Sequence, residues 1–298
     1  MQEEMKAGVA RRCYADRHNM AKRNIAIGPR DLDVLSALDH CPLTPDQLLK
    51  LSQTFLRPFP DVHTLRRRLR RLNHCDLLRP FPYAVASGGR SPCYHRLTRD
   101  GYRLLRGADI TLPHRRHFEA ISQAHHYHTR ALADFLVHTL VSAHEAGLTV
   151  LEFSPENALK IEAGLFTLYP DCAFTLRGGS DRRFRFVVEL DNGTERVRSR
   201  MDTESIERKV RGYDLHQSGM GAHDPERLVV LFVCTRGSER LDHILKLAGE
   251  LTVNAQRRVF LGTTLAEFLS AEKPLTEPCF RNIQLQSSSL VELPEKAA

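Results

Sequence analysis

Carboxylates collect at the end of an apolar stretch, residues 186–196, which reads FVVELDNGTER. Three apolar residues run directly into Glu189, Asp191 and Glu195. The turn former Asn192–Gly193 follows, and acids are common at strand ends, so a solvated turn is one interpretation. A metal site is the other, because hard divalent ions prefer carboxylate oxygens.

A further acid, Asp171, makes the metal interpretation more specific. Asp171 and Glu189 lie near the ends of two neighbouring predicted strands, so their carboxylates are able to converge on one Mg²⁺ or Mn²⁺ ion. Such an ion would neutralise a phosphate and lower the pKa of its bound water. Glu152 on the preceding strand and Asp191 are candidates for additional oxygen ligands. An ordinary ion-pair cluster at a sheet edge is the alternative.

The elements that must position these acids alternate along the second half of the chain. Apolar runs predict five strands, at residues 148–154, 168–177, 183–191, 227–234 and 258–264. Helical periodicity predicts three helices, at residues 201–217, 238–251 and 265–270. This order predicts an α/β domain with a mixed sheet, in which the hairpin strands pair antiparallel and later strands follow helical crossovers.

A long segment, residues 113–147, precedes these strands and carries apolar residues in a helix-like pattern. We predict one long helix that opens the second domain. His125, His126 and His128 lie within it, and residues three apart share a helix face, as metal ligands often do. A helical interface or hydrogen-bonded histidines is the favoured interpretation, since no further ligand lies nearby in sequence.

The positive charge of the chain belongs to its first third. Residues 1–118 contain 22 Lys and Arg against 11 Asp and Glu, whereas the remaining 180 residues contain 21 against 25. A polyanion such as nucleic acid is the natural partner of this basic part, although an anionic membrane surface would also accept it.

The same third predicts a winged helix-turn-helix. Helices are expected at residues 30–41, 44–52 and 61–75, followed by hairpin strands at 77–85 and 93–98. In this motif the third helix enters the major groove of double-stranded DNA and the hairpin contacts the backbone. The predicted DNA-binding residues are the arginines that cannot all join the leucine face, and one at the hairpin tip: Arg66, Arg67, Arg70, Arg71 and Arg90. A protein-binding winged domain with solvated arginines is the alternative.

Cysteine and apolar residue patterns bear on the compartment. The seven cysteines form no C-x-x-C pair, which argues against a structural zinc site and a disulfide framework. The longest apolar runs are far shorter than the ~20 residues that cross a bilayer, and the polar start lacks a signal-peptide pattern. We therefore expect a cytoplasmic protein with no membrane partner.

Three sequence elements resemble the PD-(D/E)xK nuclease fold: Pro170–Asp171, Glu189–Leu190–Asp191, and Lys209 with Tyr213. The resemblance implies that Asp171 and Glu189 bind a divalent metal and that a lysine positions or activates water. The usual lysine, two residues after the second acid, is here Asp191. Lys209 is a candidate substitute, and Tyr213 on the same helix face would orient it. The catalytic set is then Asp171, Glu189, Lys209 and Tyr213.

Residues 28–235 also resemble the replication-relaxation family of bacterial plasmids and other mobile elements. The resemblance rests on several segments: RDLDVLSAL, LRRRLRRLNHCDLL, YHRLTRDGYRLL, HHYHTRALADF, PDCAF and VVELDNGTE. It implies a setting in plasmid replication and DNA relaxation.

The sequence thus predicts a winged helix at residues 28–110, a PD-(D/E)xK nuclease-like domain at 113–272 and a tail at 273–298. Two functions follow from this arrangement. One is a DNA-binding protein of a mobile element, whose second domain is a nuclease-like scaffold for DNA binding or homodimer formation. The other is an active endonuclease or nickase that depends on Mg²⁺ or Mn²⁺.

Overall fold

The structure is a computed structural model that describes residues 25–84, 91–156, 158–178, 182–199, 205–221, 224–254 and 257–291. The expected contact at Arg90 lies outside these described residues. The chain divides into two compact units, residues 1–133 and 134–298. No helix in the described ranges is long and apolar enough to cross a membrane.

The first unit contains the three helices and the hairpin predicted in its first part, followed by a further helix. These elements are α1 (Pro29–His40), α2 (Pro45–Leu51), α3 (Val62–His74), β1 (Leu78–Pro82), β2 (Cys93–Leu97) and the further helix α4 (Arg99–Arg106). Strands β1 and β2 pair antiparallel, with Leu78 opposite Leu97. The hairpin therefore follows the third helix directly.

Side-chain caps fix the starts of the short helices. The Thr44 hydroxyl accepts a hydrogen bond from the Gln47 amide, and the Gln47 side chain accepts one from the Thr44 amide, which makes a capping box at α2. The Asp61 carboxylate accepts a hydrogen bond from the Thr64 amide at 2.7 Å and caps α3. Burial of one leucine face then sets the orientation of α3.

Helix α4 packs against the chain after α3 at Gly101, with no room for a side chain. A methyl group built on Gly101 would lie 1.9 Å from the carbonyl oxygen of Leu77. The Thr98 hydroxyl, which caps α4, accepts a hydrogen bond from the Gly101 amide at 3.0 Å. Glycine is thus required here by close backbone approach.

The prediction of one helix over residues 113–147 is wrong in its first part, because helix α5 begins at His126 and ends at Glu145. Tertiary hydrogen bonds replace helical ones before that point. The Ile121 amide donates to the Tyr94 hydroxyl at 2.8 Å, and Arg96 donates to the Glu119 carbonyl at 2.7 Å. His126 also has partners: its Nδ1 accepts from the Ala84 amide at 2.8 Å.

The second unit contains a sheet and the helices that cover it. Its strands are β3 (Thr149–Ser154), β4 (Ile161–Ala163), β5 (Phe166–Leu168), β6 (Cys172–Arg177), β7 (Arg183–Asp191), β8 (Val229–Cys234), β9 (Phe260–Thr264), β10 (Phe280–Asn282) and β11 (Ser287–Ser288). Its helices after α5 are α6 (Ile206–Ser218), α7 (Ser238–Leu251) and α8 (Leu265–Ser270). The chain is therefore of the mixed α/β class.

Seven strands form one mixed sheet in the order β11-β10-β9-β8-β7-β6-β3. Strand β6 pairs antiparallel with β3 and β7, whereas β7, β8 and β9 are parallel and are joined through α6 and α7. This confirms the predicted mixed sheet. Strands β10 and β11 come from residues 273–298, so the segment expected to be a tail supplies one edge of the sheet.

Alternation along β7 decides where its acids lie. Val187 joins the apolar core that α6 and α7 form with the sheet. Because side chains two residues apart point to the same face, Glu189 and Asp191 extend this row toward the helices. Both are almost fully buried, at 3% and 4% relative exposure.

Candidate functional site

Buried polar groups meet where the end of β7 packs under α6. The Tyr213 hydroxyl donates a hydrogen bond to Glu189 Oε1 at 2.5 Å, and Lys209 Nζ lies 2.9 Å from Glu189 Oε2. Lys209 and Tyr213 are four residues apart on α6, so one helix face presents both groups to the same carboxylate. The structure thus brings together three of the four predicted catalytic residues.

Glu195 is a second carboxylate partner of Lys209 and was not among the predicted site residues. Its Oε1 lies 2.8 Å from Lys209 Nζ, and its backbone carbonyl accepts a hydrogen bond from Arg240 at 2.7 Å. The sequence signal was its place in the carboxylate run of residues 186–196. The periodicity of the sequence does not show that the loop containing Glu195 folds back onto α6.

Burial and charge oppose each other in this cluster. Burial raises the pKa of Glu189, and attraction to Lys209 lowers it only in part. Burial also raises the pKa of Glu195 and of the Tyr213 phenol. Burial alone would lower the pKa of Lys209, but Glu189, Glu195 and Asp171 together raise it. Lys209 is therefore a firmly held ammonium rather than a base at neutral pH.

Asp171 is held beside this cluster by the backbone of β7. Its Oδ2 accepts a hydrogen bond from the Leu190 amide at 2.6 Å, and its own amide donates to the Val188 carbonyl at 3.0 Å. A carboxylate oxygen of Glu156 lies within 4.8 Å of one of Asp171. Glu156 was missed in the sequence, although it follows strand β3 as the other acids follow theirs.

Asp191 faces an arginine rather than the other acids. Its two oxygens accept hydrogen bonds from Arg240 Nε at 2.6 Å and Arg240 Nη2 at 2.8 Å. This bidentate pair occupies the carboxylate that was expected to be a further metal ligand. Arg240 comes from α7, 49 residues along the chain, so sequence spacing around Asp191 gives no sign of this partner.

Glu152 is exposed and lies away from the cluster. It faces Thr175 across the β3–β6 pair, and the Thr175 hydroxyl donates to it at 3.3 Å. Thr175 on β6 is four residues beyond Asp171, which immediately precedes this strand, and four extended residues span roughly 13 Å at about 3.3 Å per residue. Glu152 is therefore not placed to share an ion with Asp171.

The fit of a divalent metal differs among these acids. Both Glu189 oxygens already face a donor, Tyr213 on one side and Lys209 on the other, so a metal ligated by Glu189 must displace Lys209 or share its oxygen. A carboxylate oxygen of Asp171 and one of Glu156 lie within 4.8 Å of each other, and carboxylate oxygens are the ligands that Mg²⁺ and Mn²⁺ prefer. Asp171 and Glu156 are therefore the acids that would hold a divalent ion, with Glu189 beside them.

A second group of charged residues covers helix α3 in the first unit. Leu65, Leu69 and Leu72 are buried. The predicted DNA-binding arginines of this helix are all exposed: Arg66, Arg67, Arg70 and Arg71. Arg68 points inward and forms an ion pair with the buried Asp31. Helix α3 therefore carries one arginine with a buried partner and four arginines that face solvent.

The replication-relaxation family model matches residues 36–227. This span covers well over half of the chain. The chain belongs to the replication-relaxation family. It matches no curated protein and no solved structure.

The replication-relaxation match includes both groups of charged residues. It contains the exposed arginines of α3, and it contains Asp171, Glu189, Glu195, Lys209 and Tyr213. Arg240 and strand β9 lie beyond its end at residue 227. In this replication-relaxation chain, the partner of Asp191 thus comes from outside the matched region, whereas the partners of Glu189 come from inside it.

Proposed function

We propose that this chain binds duplex DNA through its first unit and acts in the replication or relaxation of plasmid or other mobile-element DNA. Family membership supports the setting. Three helices followed by a hairpin is the element order of a winged helix-turn-helix, whose third helix enters the major groove. The observation that carries DNA binding is the set of four exposed arginines on α3.

The chemistry of these arginines favours nucleic acid. A guanidinium group donates two parallel hydrogen bonds to a phosphate or to the O6 and N7 atoms of guanine. Arg66 has a distant acidic neighbour, Asp46, at 3.6 Å. Within the described residues, Arg67, Arg70 and Arg71 have no ion pair, so their charge is available to a polyanion.

Replacing Arg67, Arg70 and Arg71 together by alanine is expected to weaken duplex binding and to flatten its salt dependence. Each lost phosphate contact lowers the slope of log K against log salt by about 0.9, so the slope should fall by up to roughly 2.7. Fluorescence anisotropy titrations over a range of salt concentrations measure both quantities.

The matched control removes three exposed arginines of the second unit: Arg182, Arg183 and Arg198. This variant should keep the affinity and the slope of the wild-type protein. If the control loses binding and the α3 variant does not, the DNA-binding surface lies in the second unit and the assignment to α3 is wrong.

We also propose a second candidate function, a metal-dependent DNA endonuclease or nickase, on the observation that the Glu156 and Asp171 carboxylates approach each other. Asp171 and Glu156 would hold Mg²⁺ or Mn²⁺, with Glu189 beside them. The ion would supply charge neutralisation of a phosphate and a bound water of lowered pKa. Lys209, fixed by Glu189 and Glu195, would orient that water.

Mg²⁺ or Mn²⁺ is expected to raise the melting temperature of the wild-type protein, because a ligand of the native state stabilises it by about 2.7 kcal/mol at roughly 100 times its Kd. Asp171→Asn keeps the size and removes the charge, so it should abolish this shift and any nicking of supercoiled plasmid. Glu152→Gln, the matched control on β3, should retain both. Absence of divalent-ion binding in calorimetry, even with DNA present, would leave the second unit as a scaffold without metal chemistry.

A further inference from the structure

A groove runs beside α3 on the first unit, and five of its twelve lining residues are arginines. It encloses about 460 Å³ between the start of α1, the loop before α3 and one face of α3. Five arginines line it: Arg30, Arg57, Arg67, Arg68 and Arg71. Asp31 is the one acid among the lining residues, so the groove is strongly positive.

Asp31 does not neutralise the other arginines of the groove, because its carboxylate already pairs with Arg68. Arg68 donates to Asp31 Oδ1 at 2.5 Å and also to Oδ2. The Gly28 amide donates to Asp31 Oδ2 at 2.8 Å. Arg68 and Asp31 thus form an ion pair at one side of the groove. Among the residues that the structure describes, no acid pairs with the four remaining arginines.

The four remaining arginines of the groove lie close together, and no acid of the described ranges pairs with them. Arg30 lies over the Phe59 ring, 4.7 Å from its centroid, and donates to the Pro58 carbonyl at 3.4 Å. Arg57, Arg67 and Arg71 have no ion pair with any residue that the structure describes. Like charges gathered in one groove repel, so a bound anion lowers the electrostatic energy of this arrangement.

Helical spacing divides the exposed arginines of α3 into two rows. Arg67 and Arg71 are four residues apart, share one face and line the groove. Arg66 and Arg70 form the neighbouring row and are not part of the groove lining. The lining side chains that are able to donate to an anion are arginines, since the Thr64 hydroxyl already donates to Asp61 Oδ2 at 2.9 Å. The lining includes no amide side chain of the kind that reads adenine.

We propose that this groove seats the sugar–phosphate backbone of one DNA strand, with Arg57, Arg67 and Arg71 as phosphate ligands, while the Arg66 and Arg70 row faces the base edges. This inference rests on the proposed DNA binding and assigns a separate role to the loop residue Arg57. The backbone contact positions α3 and carries no sequence information itself.

The decisive variant is Arg57→Ala, because Arg57 lies outside α3. It is expected to lower the salt slope of duplex binding by about 0.9 and to reduce affinity by the same factor on several unrelated sequences. Arg103→Ala, an exposed arginine on α4 outside the groove lining, is the matched control and should leave both unchanged. Melting curves of both variants should overlay that of the wild-type protein.

Two outcomes overturn the inference. One is an Arg57→Ala variant with wild-type slope and affinity. The other is calorimetric binding of a nucleoside triphosphate or inorganic phosphate that Arg57→Ala abolishes while duplex binding persists, which would assign the groove to a free phosphate compound. Failure of the proposed function itself looks different, since the wild-type protein would then show no salt-dependent binding to duplex DNA.

Discussion

Lys209→Ala is expected to destabilise the second unit by about 3–5 kcal/mol, the usual cost of removing one partner of a buried ion pair. Lys209 lies 2.9 Å from Glu189 and 2.8 Å from Glu195, and the Glu189 side chain is 4% exposed. Without the ammonium, two carboxylates remain in a site where burial already disfavours their charge. Urea unfolding at neutral pH measures the loss.

The destabilisation caused by Lys209→Ala should shrink as the pH falls, because protonation neutralises the carboxylates. Burial raises the pKa of Glu189 above its ordinary value of 4.5, so stability is lost as the pH rises through the interval above 4.5. Lys209 lowers the pKa of Glu189, so this pKa rises further in the Lys209→Ala variant. The pH interval over which Glu189 destabilises the fold is then wider in the variant than in the wild-type protein. The unfolding free energies of the variant and the wild-type protein should therefore converge toward pH 4.5.

Lys160→Ala is the matched control, because Lys160 also forms an ion pair, with Glu162, but its side chain is 51% exposed. Its effect should be much smaller than that of Lys209→Ala, because exposed ion pairs contribute little to stability. The double variant Glu189→Gln with Lys209→Met should recover part of the loss, since no uncompensated charge remains on that pair. Equal effects of Lys209→Ala and Lys160→Ala would contradict the buried-pair interpretation.

Acid is expected to destabilise the first unit through His95 on β2. Burial lowers the pKa of His95 to about 4, although a backbone hydrogen bond with Leu43 acts in the opposite direction. The unfolded chain therefore binds the proton first, and stability falls as the pH drops from 6.5 toward 4. A shift of this size corresponds to about 3 kcal/mol.

The variant His95→Leu removes this titration, because it replaces the imidazole by an apolar side chain. Its unfolding free energy relative to the wild-type protein should rise by about 3 kcal/mol between pH 7 and pH 4. His63→Leu, at an exposed position on α3, controls for the general acid sensitivity of the chain. A difference between His95→Leu and wild-type that does not change with pH would show that His95 is protonated as readily in the folded state.

The local pattern of apolar residues was sufficient to predict most of the helices and strands. Strand β7, helix α7 and helix α8 have the predicted bounds, because each has strong periodicity and clear end signals. The phase of α3 was also predictable from its leucines. The β4–β5 hairpin was missed because its strands have three residues each, and part of it was merged with β6 across Pro170.

The candidate site was predictable only where its partners lie on regular elements. Glu189 on β7 and the i, i+4 pair on α6 meet as the sequence indicated. Pairings that depend on loops or on distant elements were not accessible. The return of Glu195 over Lys209 and the choice of Arg240 by Asp191 depend on tertiary packing.

The close contact at Gly101 also gives a criterion for comparing related chains. Since even a methyl group there would meet the Leu77 carbonyl, α4 keeps its place only if this position stays glycine. A homologue with any larger residue at the equivalent position must have α4 shifted away from the end of α3. Position 101 is therefore a marker, readable from an alignment, for whether a homologue keeps this arrangement of the first unit.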